Sequence, residues 1–114
     1  MELIEAQIDS VVALGINGRI DSVTAGTLKD RLAGLVQSGK AHLVVDFKDV
    51  AYISSAGFRT LLIAAKMAEE AGGRIALCGI NGEVRRLFEI AAFTELFLIL
   101  SDRNEAAAAV KRPA

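Results

Sequence analysis

With 114 residues, 53% of them hydrophobic and 24% charged, the chain reads as one globular domain, long enough to bury a single core. Its 13 basic and 14 acidic side chains nearly cancel, so nothing suggests electrostatic capture of nucleic acid or of an anionic membrane, and partners are expected to be found by shape. No apolar run approaches the roughly 20 residues of a bilayer span, the Met1 to Glu5 start lacks the basic residues of a secretory signal, and the lone Cys78 excludes an internal disulfide and a cysteine metal cluster; a cytoplasmic protein is expected.

Taken in order, the chain alternates short β-like and longer helix-like segments. Leu3 to Ile8 and Val11 to Ile16 predict a hairpin around Asp9-Ser10. Asn17-Gly18 then favours a turn, or else the exit of the second strand into a loop reaching Asp21. Ser22 or Thr24 caps a first helix whose Leu28, Leu32, Leu35 and Val36 recur at three- and four-residue steps until Gly39.

The run His42 to Phe47 is apolar enough for a central strand covered on both faces. After the Ser54-Ser55 loop, Phe58, Leu61, Leu62, Ala65 and Ala68 mark one face of a second helix that stops at Gly72-Gly73. Ile63 and Met67 lie off that face, so either the helix is deeply buried or this side meets a partner. Arg74 to Gly79 predicts another buried strand, and Asn81 a helix cap ahead of inward Val84, Leu87, Phe88 and Ala91. Leu96 to Leu100 is the last strand, Ser101 or Asp102 opens a short Ala-rich helix, and the tail over 109–114 frays.

The order β-β-α-β-α-β-α-β-α implies an α/β fold: a small mixed, mostly parallel sheet of about five strands, with an N-terminal hairpin and four helices. In such sheets functional groups gather outside the carboxyl ends of the strands, so the Asn17 to Asp21 and Ser54-Ser55 loops should meet on one rim. A serine at a helix start is ordinarily an N-cap, but the same free N–H groups and positive dipole end suit an anion, which makes it also a candidate phosphoryl acceptor.

Other chemistry is poorly served. Asp46 and Asp49 could be imagined as an acid/base or metal pair, but Asp46 sits inside the strand pattern and no third ligand is apparent, so turn and strand-end carboxylates are the better reading. The only histidine, His42, stands at the far end of its strand from Ser55, which excludes a Ser-His-Asp arrangement. Cys78 reads as a small core side chain, and no phosphate-binding glycine motif occurs. No catalytic residue, metal or cofactor is expected.

The run from Leu43 to Gly57, LVVDFKDVAYISSAG, together with GRIDSVTA at Gly18 to Ala25 and the Gly73 to Asn81 segment, resembles STAS domains, in particular the bacterial anti-sigma factor antagonists. The resemblance spans about Leu3 to Ala109. It implies a STAS-like fold and a switch without catalysis, which binds an anti-sigma factor with serine kinase activity and is released by phosphorylation until a phosphoserine phosphatase reverses it. The family motif Asp-Ser-[Ser/Thr]-Gly places the phosphoacceptor at Ser55, with Ser54 standing where the family has Asp and Ala56 where it has a second hydroxyl. Asp21, Ser54, Gly57, Phe58, Arg59, Ile63 and Met67 are then expected to bind the partner.

Asp21 has the alternative reading of a turn cap. Arg59, four residues after Ser55, either pairs with the phosphate or is a solvated or rim side chain. The rival function is an unphosphorylated module of the same fold that binds a nucleotide or serves as a subunit of a transport or signalling assembly. A monomer or weak homodimer is expected.

Overall fold

The computed structural model describes residues 1–111. Strands β1 (Glu2–Ile8), β2 (Val11–Ile20), β3 (His42–Ile53), β4 (Arg74–Cys78) and β5 (Leu98–Leu100) alternate with helices α1 (Ala25–Gln37), α2 (Ser55–Glu70), α3 (Gly82–Ile90) and α4 (Arg103–Lys111). The strands lie in chain order, β1-β2-β3-β4-β5, antiparallel for the first pair and parallel for the rest.

That order has a direct consequence for layering. Three successive right-handed crossovers stepping the same way across a sheet put their helices on one face. Side chains of α1, α2 and α3 accordingly share a core with Leu14, Ile16, Leu43, Val45 and Phe47. Helix α4 follows the last strand, needs no crossover, and covers the other face: Ala106, Ala107 and Val110 pack on Val11, Ala13, Val44 and Ala76. The central strand is thus covered on both sides, which is why it is continuously apolar.

Strands β2 and β3 both run further than their alternation suggests. Asn17-Gly18 is neither a turn nor an exit; it stays within β2, with Gly18 at φ +117°. Opposite it, β3 carries two extra residues: Gly15 pairs with Asp46 but Asn17 with Asp49, and Gly18 pairs with Val50 but Arg19 with Tyr52. Each extra residue reverses which face a given parity addresses. Phe47, Val50 and Ile53 therefore all enter the same core, and the strand extends six residues past Phe47 up to the serine loop.

Other boundaries also move. Ala91 is the exposed C-cap of α3 instead of an inward residue, because the helix ends and Ala92 turns back at φ +60°. Leu96 is exposed and precedes a three-residue β5. The Asn81 side chain makes no cap bond; its amide donates to the Lys48 carbonyl at 3.3 Å. The expected fraying does not begin at 109, since Val110 is fully buried and Lys111 Nζ reaches Asp9 Oδ2 at 2.7 Å, which ties α4 to the hairpin turn. Residues 112–114 of that expected tail lie outside the described residues.

Candidate functional site

The carboxyl ends of β2 and β3 meet at one rim. The Ser54 N–H donates to the Ile20 carbonyl at 2.8 Å, so the loop that leaves β2 and the loop that leaves β3 start side by side. Ser54 is the N-cap of α2: its backbone is extended and its Oγ accepts the Gly57 N–H at 3.3 Å. An aspartate there would cap in the same way. Ser54 therefore keeps the helix start intact while leaving one negative charge fewer beside Ser55.

Ser55 is the first residue of α2 and is exposed. A helix's first N–H groups have no intrahelical acceptor and carry the positive end of the dipole, so an anion on Ser55 would be favourably placed. Arg59 and Ile63 follow at four-residue steps on the same side of α2, and both are exposed. Among the described residues Arg59 has no carboxylate partner. Met67, one further step along, is half-buried and packs against the core.

Two expected contact residues are not on the surface. Phe58 is 4% exposed, stacked on Phe93 at 4.6 Å and edge-on to Phe88 at 4.8 Å. Gly57 is also buried, and a Cβ there would lie 2.7 Å from Ile53 Cγ1 and 2.8 Å from Ile20 Cγ2. Both hold the start of α2 down on the sheet. For Phe58 the apolar period of α2 already points inward, against the partner contact that the resemblance implies, whereas the Ile20 side chain over Gly57 comes from a distant segment that the motif does not reveal.

Across the rim, Asp21 is held in a closed set of bonds. Its Oδ1 accepts the N–H groups of Val23 (3.0 Å) and Thr24 (3.1 Å), while its own N–H donates to Thr24 Oγ1 at 2.9 Å. The backbone N–H groups of Thr24 and then Val23 hold its carboxyl below the usual carboxylate range. Asp21 is thus a turn cap for the loop ahead of α1, while Thr24, the N-cap residue of α1, makes no side-chain cap bond to the helix. Its other oxygen faces Arg19 at 3.9 Å, and the Arg19 guanidinium lies 4.4 Å from the centre of the Tyr52 ring.

Sequence reasoning passed over Val23. It is 85% exposed, and its own N–H is fixed by Asp21, so an apolar side chain stands out from a rigid loop beside the serine rim. The signal was available: a β-branched residue in a polar Asp-Ser-Val-Thr turn has no core to enter.

Elsewhere, Asp46 lies within β3, as its place in the strand pattern suggests; it is 8% exposed and paired with Arg103. Cys78 is buried, and burial followed by the nearby Asp46 charge pushes its thiol up to about 12, which makes it inert at neutral pH. Among the described residues no three His, Cys, Asp or Glu side chains converge as a metal site, and no helix is long and apolar enough to cross a membrane.

The STAS domain family model matches residues 4–106. BtrV of Bordetella bronchiseptica, provisionally described as an anti-sigma factor antagonist, is 36% identical over 111 residues, covering 97% of this chain and 96% of its own. The anti-sigma-B factor antagonist of Bacillus subtilis is 30% identical over 90 residues, covering 79% and 82%. A Thermotoga maritima crystal structure, also provisionally described as an anti-sigma factor antagonist, has a TM-score of 0.87 at 22% identity, covering 96% of this chain and 95% of that one, a likeness of fold.

Proposed function

Because the chain belongs to the STAS domain family, we propose that it is a non-enzymatic anti-sigma factor antagonist whose docking face is the rim formed by the Asp21 to Thr24 loop and the start of α2. The observation that carries this reading is Ser55: an exposed hydroxyl at the first position of a capped helix, next to a rigid loop that presents Val23. Its partner is an anti-sigma factor with serine kinase activity. Phosphorylation of Ser55 adds about −1.5 to −2 charges at neutral pH to this face, ends docking, and is reversed by a phosphoserine phosphatase. Val23, Arg59 and Ile63 contribute apolar and basic contacts, with Ser54 and Asp21 shaping the surface between them; Met67 borders it.

Intact-mass measurement after incubation with ATP and a co-encoded kinase tests the switch. Wild type is expected to gain one phosphoryl group and Ser55→Ala none, with unchanged unfolding. A phosphorylated Ser55→Ala variant would show the site to be elsewhere. Stable binding of a nucleotide, or of another subunit, without any mass gain would favour an unphosphorylated module of the same fold. Val23→Asp should weaken partner binding about 10- to 100-fold in a titration, as expected for losing an apolar interface anchor, and leave the thermal midpoint within a degree or two. Unchanged affinity would remove this loop from the docking face.

A further inference from the structure

On the opposite face of the sheet, one ion pair joins α4 to the strand that ends in the serine rim. Asp46 Oδ2 accepts from Arg103 Nε at 2.6 Å, and Asp46 Oδ1 accepts the Lys48 N–H at 2.9 Å. The second bond sits within the first of the two places where β3 gains a residue on β2. Lys48 also lies past Asp46–Cys78, the last pair between β3 and β4, and here a carboxylate takes up its backbone N–H.

The surroundings are cut to admit this pair. A Cβ on Gly79 would stand 2.6 Å from Asp46 Oδ1, and one on Gly15 would stand 2.8 Å from Arg103 Nη2. Gly15 on β2 and Gly79 just past the end of β4 thus leave room for the two charged groups, with the Asp46 side chain only 11% exposed. Asp102 caps the same end of α4 by accepting the Glu105 N–H at 2.9 Å, which fixes the residue next to Arg103.

We propose that Arg103 is a positioning residue for the serine rim: through Asp46 it locks the β3 bulge, and the bulge in turn sets the register that brings Ser54 under the Ile20 carbonyl and Ser55 to the surface. The importance of that rim rests on the docking function proposed above, but the coupling from α4 to β3 does not. The free chain is therefore the right sample.

Amide hydrogen exchange of Arg103→Met reads it out. The Lys48 and Ser54 amides are expected to exchange about tenfold faster than in wild type, relative to α3 amides, as befits a lost charge-assisted bond. Arg103→Lys, whose ammonium can still reach Asp46 as a point charge, should restore much of the protection. Lys111→Met, which releases the other end of α4 from Asp9, should leave both amides as they are. Equal acceleration across the whole sheet, unchanged exchange at Ser54, or the same loosening in Lys111→Met would each overturn the coupling. Should Arg103→Met not fold, Asp46→Asn removes the charge without changing the shape and makes the same comparison. Failure of the Ser55 mass-gain experiment would leave these exchange results untouched, so the two ideas fall separately.

Discussion

Ser55→Asp is expected to weaken binding of the anti-sigma partner by a hundredfold or more while leaving the fold as stable as wild type or slightly more so. The two halves of this result have different causes. Within the domain, position 55 is the first of α2, where a carboxylate meets unpaired N–H groups and the positive dipole end, a favourable interaction of about 0.3–1 kcal/mol. Within the complex, the same carboxylate would be stripped of water against a partner selected to meet a neutral hydroxyl. An unpaired buried charge costs about 3–5 kcal/mol, so repulsion and desolvation outweigh anything the helix returns. A titration of the partner against wild type, Ser55→Ala and Ser55→Asp decides it. Equal affinity for all three would remove the rim from the interface, and a large drop in stability for Ser55→Asp would mean that the residue is not the open helix start described above. The Ser54 cap sharpens the expectation, because the neighbouring position contributes no carboxylate of its own.

Phe88→Ala is expected to cost about 3–5 kcal/mol, the range for emptying a buried aromatic site. All five phenylalanines of the chain form one cluster. Phe88, fully buried, is its hub: it meets Phe58, Phe47 and Phe97 edge to face at centroid distances of 4.8, 5.6 and 5.9 Å. Edge-to-face pairs add about 0.5–1.5 kcal/mol each beyond area burial, and three of them are lost together. Against a total stability of about 5–15 kcal/mol the loss is a large fraction, and a thermal midpoint lower by about 15 °C should accompany it. Urea unfolding of the variant measures it directly, and a cost below about 1.5 kcal/mol would mean that the site collapses around the gap. The effect reaches the rim because Phe58 lies three residues beyond Ser55 and is the anchor that seats the start of α2.

The amino-acid sequence by itself determined the order and type of the elements, since each is written in its own period of apolar residues and punctuated by Gly39 and Gly72-Gly73. It also placed Ser54 and Ser55 at a helix start and the Asp21 loop near them, because parallel strands joined by right-handed crossovers bring such loops to one edge. What stood beyond its reach was everything that depends on which distant residues become neighbours. Two extra residues in β3 invert the alternation after Phe47, so a strand that seems to end there continues to Ile53. The helical period sets Phe58 on the apolar face of α2, against the partner contact that the resemblance implies, but does not show that Phe88 and Phe93, 30 and 35 positions on, enclose it, nor that Ile20 closes over Gly57. Asp46 reads as a carboxylate inside a strand, its partner unidentified until α4 crosses the opposite face and sets Arg103 against it. Local periodicity reports the face a residue turns toward, whereas burial and pairing report what arrives at that face, and only the packed tertiary structure contains the second.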